Sequence, residues 1–205
     1  MDKTKTLVLY YSRSGNTRNL AEEIAKKLHA DIEEIHCKER YRFGSLGFFR
    51  AIAHVLLRRT PEIFPLEKKT TDYGTVIIGT PVWWSAPAAP VRTFLETHRN
   101  ELGDVAFFST QGGSSPSSKL YQEMKKISGR DPLATLTVSD ADLRDHSFGD
   151  RLALFVKRLG RGGEIERLSI RSDFRSAPWN RPIADLPSLG PRYFEIALPG
   201  SHSRP

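Results

Sequence analysis

One cysteine, Cys37, stands in 205 residues, so no disulfide can form within the chain. A lone thiol fits a reducing compartment, and a cytoplasmic protein is the expectation. Long apolar runs are missing too. The stretch after Lys3 and Lys5, Leu7–Tyr11, holds five apolar residues before Ser12. A secretory leader needs about 7–15, and a membrane span needs about 18. An excess of acid is also missing. Lys and Arg number 31 against 24 Asp and Glu, a net charge of +7. That balance favours acidic partners or anionic ligands. No nucleic-acid-binding module accompanies it, so nucleic acid is not the favoured partner. The six histidines have no metal-ligand spacing, and His54, His98 and His146 read as surface or helix-face residues. No Ser-His-Asp set is evident, so neither a catalytic residue nor a metal ligand is assigned.

What is present alternates between strand and helix. Leu7–Tyr11 is nearly all apolar, as a strand covered on both faces should be. Leu20, Ala21, Ile24, Ala25 and Leu28 then recur at helical spacing. Asp31–Ile35 alternates weakly, as a sheet-edge strand would. Residues 46–57 read as a second helix, whose basic flanks and aromatics could alternatively meet a membrane or partner. Thr75–Ile78 is a short strand closed by Gly79, and Pro90 suits the first turn of a third helix. Strands at Val105–Phe108 and Leu133–Val138 follow, with helices marked by Leu120, Tyr121, Met124 and Ile127 and by Leu152, Phe155, Val156 and Leu159. Short links between parallel strands require right-handed crossovers through helices. The expected fold is α/β, a doubly wound five-stranded parallel sheet.

After Leu159 the composition changes. Residues 161–205 hold seven Arg, six Pro and no Lys, whereas the preceding part uses eleven Lys. We therefore expect one domain over residues 1–160 and an Arg/Pro-rich, irregular C-terminal extension over 161–205.

Three segments carry chemistry. The first is Ser12-Arg13-Ser14-Gly15-Asn16-Thr17, at the junction of the first strand and first helix. Such a junction leaves the helix's first N–H groups unpaired and pointing outward, with partial positive charge. An anion bound there needs no lysine. Ser12, Ser14 and Thr17 add hydroxyl donors, Gly15 permits a positive φ, and Asn16 can brace the turn. Arg13 and Arg18 bring charge nearby. The nucleoside-triphosphate loop is excluded because no Lys follows Gly15, and the dinucleotide fingerprint because only one glycine is present. A phosphate of another client is expected.

The second segment is Gly79-Thr80-Pro81-Val82-Trp83-Trp84-Ser85-Ala86-Pro87. Loops run over the surface, so at least one indole should be exposed as a stacking platform. The third is Phe108-Ser109-Thr110-Gln111-Gly112-Gly113-Ser114-Ser115, rich in donors. For strand order 2-1-3-4-5 the ligand crevice lies beyond the carboxyl ends of strands 1 and 3, with strand 4 next along. All three segments then meet at one edge.

These segments resemble those of the flavodoxin-like flavoproteins, over roughly residues 5–160 and closest to the short-chain form. The resemblance implies FMN as cofactor, with its phosphate on Ser12, Arg13, Ser14, Gly15, Asn16 and Thr17. It implies an isoalloxazine flanked by Thr80, Pro81, Val82, Trp83 and Trp84, with Trp83 or Trp84 stacked on the ring. Ser109, Thr110, Gln111, Gly112 and Gly113 would meet the flavin's polar edge and ribityl chain. The implied function is electron transfer with a redox partner protein, here an acidic one. The alternatives are an NAD(P)H-dependent FMN or quinone reductase acting on a small acceptor, and a non-redox binding module on the same fold. Two departures stand out. Carriers of this family are typically acidic, and they often place a glycine after the third strand where this chain has Ser85 and Ala86. A second stacking aromatic is absent from the third segment, leaving Tyr121 or Trp179 as candidates.

Overall fold

The computed structural model describes residues 5–38, 60–113 and 117–160. The expected helix over 46–57, the extension over 161–205 with Trp179, and Ser114 and Ser115 lie outside the described residues.

The chain begins with strand β1 (Thr6–Tyr10), helix α1 (Asn16–Leu28) and strand β2 (Asp31–Glu34). A 3-10 turn at Thr70–Asp72 precedes strand β3 (Thr75–Trp83), which doubles back into the two-residue strand β4 (Ala86–Pro87). Then come α2 (Ala89–His98), β5 (Asp104–Gln111), α3 (Ser118–Ser128), β6 (Pro132–Ser139), α4 (Asp140–Asp145) and α5 (Gly149–Gly160). The sheet order is β2-β1-β3-β5-β6, with β4 paired to β3 alone. Setting that short antiparallel strand aside, the five parallel strands have the expected 2-1-3-4-5 order.

Strand periodicity sends alternate residues to opposite faces, and both faces are apolar because helices cover both. Leu7, Leu9, Val76, Ile78 and Phe107 pack with Val91, Phe94 and Leu95 of α2 and Leu120 and Met124 of α3. Val8, Tyr10, Ile77, Phe108 and Leu136 pack on the other side with Leu20, Ala21 and Ile24 of α1 and Leu152 and Phe155 of α5. The edge strand β2 is only half buried. Its Glu33 carboxylate accepts backbone N–H bonds from Glu67 and Lys68 at 2.6 and 3.0 Å. Among the described residues no further strand pairs with that edge, and the loop contact lies against it.

Two strands run further than their apolar cores suggest. β3 continues through Gly79 to Trp83, and β5 through Ser109 to Gln111. The ladder persists there, with Thr80 opposite Ser109 and Pro81 opposite Thr110. Gly79 is a strand residue because of packing. A Cβ at this position would lie 2.0 Å from the ring of buried Phe108. The short α4 is a further addition to the expected elements. Its N-terminus is a capping box, in which Ser139 and Asp142 satisfy each other's backbone N–H groups.

Candidate functional site

β1, β3, β5 and β6 all run parallel, so their carboxyl ends meet at one edge of the sheet. The turn after β1 wraps around Gly15, whose φ of 99° is a conformation that favours glycine. The Gly15 N–H donates to Ser12 Oγ at 3.1 Å, and its carbonyl accepts from the Asn19 N–H at 2.9 Å, starting α1. Among the described residues no side-chain hydrogen bond caps α1, and its first turn holds no acid. Such a helix N-terminus is suited to an anion.

The expected donors divide into two sets. Ser14 is exposed, while Ser12, Arg13, Gly15 and Asn16 are partly exposed. Thr17 is buried instead, with its Oγ1 at 2.8 Å from Thr110 Oγ1. Only one hydroxyl proton lies between those two oxygens, which leaves the second for another acceptor. Arg18 is engaged by Glu34 of β2 at 2.6 Å, a bond that raises its pKa.

The second segment is a tight hairpin. Trp84 and Ser85 both have positive φ, 52° and 62°. That pair of signs is the two-residue turn whose twist suits a hairpin, a place usually filled by Asn-Gly. Val82 pairs with Pro87 and Trp83 with Ala86 across it. The two tryptophans diverge as their neighbouring positions require. Trp83 packs against the core, its ring edge-on to Tyr11 at 5.8 Å and 89°. Trp84 is 70% exposed. Thr80 is fully buried and turned inward, its hydroxyl donating to Pro81 O at 3.0 Å and accepting from the Ala88 N–H at 2.9 Å. It pins the hairpin to the start of α2. Pro81 and Val82 are partly exposed.

The third segment divides in the same way. Ser109 is fully buried, 2.8 Å from the Tyr121 hydroxyl. Tyr121 in turn donates to Leu136 O at 2.5 Å and meets Thr137 Oγ1 at 2.9 Å. Its ring lies parallel to Phe107, and burial pushes its hydroxyl pKa up to about 12. Tyr121 is partly buried and packs against the core beneath the third segment. Gln111 donates to Gly113 O at 2.7 Å and accepts from the Ser117 hydroxyl at 2.8 Å. Gly112 and Gly113 are exposed.

Two residues absent from the sequence-based site belong beside it. Tyr11 buttresses Trp83, and burial raises its hydroxyl pKa. Asp140, the first residue of α4, accepts a 2.8 Å bond from Asn16 Nδ2. Its other carboxylate oxygen is 3.6 Å from where a Cβ of Gly112 would stand. Asp140 thereby joins the first segment to the third. The signal for it was its position just past the last strand, on the same ligand-bearing edge.

The sequence matches the family described as flavodoxin over residues 5–136. The chain belongs to the flavodoxin family. Two solved structures of a flavoprotein from Lactobacillus acidophilus NCFM are similar to this flavodoxin, both at 26% identity. The crystal structure in complex with FMN has a TM-score of 0.58, the match covering 70% of this chain and 98% of that one. The NMR structure of the apo-form has a TM-score of 0.53, covering 70% and 97%. No curated protein matches the sequence. Among the described residues, no group of three metal-binding side chains is placed to hold an ion, and no helix is long and apolar enough to cross a membrane.

Proposed function

We propose that this flavodoxin binds FMN at the carboxyl edge of its sheet and transfers electrons through it. The observation that carries the reading is the uncapped α1 N-terminus at Gly15, on the same edge as an exposed indole. A phosphate suits the first, and a flat heteroaromatic ring suits the second. FMN joins both in one molecule, and the related Lactobacillus flavoprotein was crystallised with it.

In this reading, backbone N–H groups at the start of α1 and the Ser12 and Ser14 hydroxyls hold the phosphate. The ring rests against the Trp83–Trp84 hairpin, which Tyr11 and Thr80 keep in place. Gly112 and Gly113 leave backbone accessible to the ring's polar edge. Thr17, Thr80, Ser109 and Thr110 act from within by fixing these loops. FMN supplies the redox chemistry when bound, and the protein contributes binding, orientation and electrostatics. The chain's net charge of +7 suits an acidic redox partner. The proposal includes a cytoplasmic location, which keeps a lone thiol such as that of Cys37 reduced.

The test is the absorption spectrum of the purified chain, before and after FMN is added. Yellow protein with flavin bands is expected. Colourless protein that takes up no FMN would overturn the reading. Anaerobic addition of NAD(P)H alone should leave the bands intact in a carrier. Rapid bleaching would instead support the reductase.

A further inference from the structure

α2 and α3 cover the same face of the sheet and follow neighbouring parallel strands, so they run side by side from the carboxyl edge toward the opposite edge. Between them lies a cleft of about 330 Å³ that shares no residue with the three segments of the candidate site. Arg92 and Glu96 of α2, Arg99 just after it, and Glu123 and Lys126 of α3 line the cleft, with Ile127 as its apolar wall. Three cations against two carboxylates leave the lining one positive charge in excess.

Arg92 is only 4% exposed, yet its guanidinium is always charged. Its Nη2 donates to Glu123 Oε1 at 2.6 Å. Nη2 and Nε carry the parallel N–H bonds that grip a carboxylate bidentately. Glu123 uses the Nη2 half alone. Nε is buried and has no hydrogen-bond partner among the described residues. At the far end of the cleft the Arg99 guanidinium reaches across to α3, with its Nη2 3.1 Å from where a Cβ of Gly129 would stand.

A tie between the two helices accounts for the Nη2 bond but not for the rest. Glu123 would serve such a tie better by gripping both nitrogens, because a buried donor left unmade is costly. A buried ion pair is in any case weak evidence of a stabilising role. An unmet donor beside an excess of positive charge is what an absent oxyanion would leave.

We propose that the α2–α3 cleft binds the carboxylate of a small organic acid, with Arg92 as its anchor. The single excess charge suits a monoanion. Nε is closed to solvent while Glu123 is in place, so the ligand reaches it as Glu123 turns aside toward Lys126, its neighbour on the same face of α3. One carboxylate replaces another, and the incoming one fills both Nη2 and Nε. The apolar body of the acid lies against Ile127. The site is separate from the FMN edge and does not rest on that reading.

The test is proton–nitrogen correlation NMR of the full chain, reading the Arg92 Nε–H signal and the Ile127 amide. Sodium acetate, sodium butyrate and sodium phosphate are titrated, with sodium chloride at matched ionic strength as the control. Acetate and butyrate should shift both signals saturably, butyrate at the lower concentration, and chloride should not. Glu123→Gln removes the competing charge and should tighten butyrate binding about tenfold. Arg92→Lys keeps the charge but loses the fork, so the Ile127 amide should report binding about tenfold weaker or more. If the lysine variant does not fold, Glu123→Gln decides alone. A shift that follows ionic strength, chloride included, would overturn the proposal. So would saturation by phosphate at a lower concentration than by butyrate. Butyrate binding no tighter in Glu123→Gln than in wild type would overturn it too, since that is the result expected of a merely structural ion pair.

Discussion

Gly15→Ala isolates backbone conformation from packing. A Cβ added at Gly15 would meet nothing within 4 Å, so there is no clash to relieve. The whole effect comes from φ, which is 99° with ψ at −23°. An L-residue with a side chain in left-handed conformation costs roughly 1–2 kcal/mol. The variant can accept that strain, or rotate the turn and disturb the Ser12 bond and the first bond of α1. In the first case urea unfolding followed by circular dichroism should show about 1–2 kcal/mol of lost stability. In the second case the helix N–H groups also turn from the phosphate. Losing one hydrogen bond to a charged group, about 1.5–3 kcal/mol, weakens FMN binding roughly tenfold to a hundredfold.

Both measurements are needed because they separate the two responses. Gly15→Asn is the control, since asparagine tolerates positive φ better than alanine does. It should recover part of the stability and part of the affinity. An alanine variant as stable as wild type, with unchanged FMN affinity, would refute the reasoning. It would mean that residue 15 does not hold a positive φ in solution and that the phosphate lies elsewhere.

Gly79→Ala is the opposite case, with no space instead of a special φ. Its Cβ would overlap the Phe108 ring, so urea melts should show a loss of about 1–3 kcal/mol, the usual cost of overpacking. Ser85→Gly should gain about 0.5–1 kcal/mol, because relief of positive-φ strain exceeds glycine's extra chain entropy. A destabilised Ser85→Gly would argue against the hairpin turn. Asp142→Ala removes a carboxylate held below its ordinary range by Arg151 first and by Ser139 second, along with half of a capping box. It should cost about 1 kcal/mol near neutral pH. Because the folded-state pKa is depressed, the wild-type advantage is present above pH of about 4 and shrinks as pH falls below it. A wild-type advantage equal at pH 7 and pH 3 would contradict that assignment.

The inner strands β1, β3 and β5 were legible because each carries its own apolar run with both faces covered, whereas the edge strand β2 shows only a weak alternation and β6 is buried mainly on one face. What escaped was the polar continuation of those strands. Thr80, Ser109 and Thr110 read as loop residues because they are hydroxylic, yet they are buried in a paired ladder. The hydroxyls of Ser109 and Thr110 meet Tyr121 and Thr17 on other elements, that of Thr80 meets Pro81 O and the Ala88 N–H, and no local pattern announces such partners. The α4 helix escaped apolar periodicity because none of its residues is buried, and only its capping box marks it. The hairpin gave no Asn-Gly signal because Trp84 and Ser85 occupy its turn. For the same reason the motif residues could be named before their directions could. Which hydroxyls face a ligand depends on register and on crossings as distant as Asn16 to Asp140.

Under the proposed FMN reading, the hairpin gives a reason for a costly turn. Two successive residues with positive φ and side chains cost about 1–2 kcal/mol each. An asparagine-glycine pair would remove most of that cost, but it would also remove the exposed indole from the tip. The turn is held by the Trp83–Ala86 and Val82–Pro87 pairs, by Thr80 beneath it and by the Tyr11 ring against Trp83. These contacts oppose relaxation of the strained residues. A platform held this way loses little conformational freedom when a flat ring settles on it, so more of the stacking energy appears as affinity. The strain at Trp84 and Ser85 and the buttress at Tyr11 are therefore parts of one arrangement, in which core packing offsets the cost of presenting an aromatic surface in a fixed position.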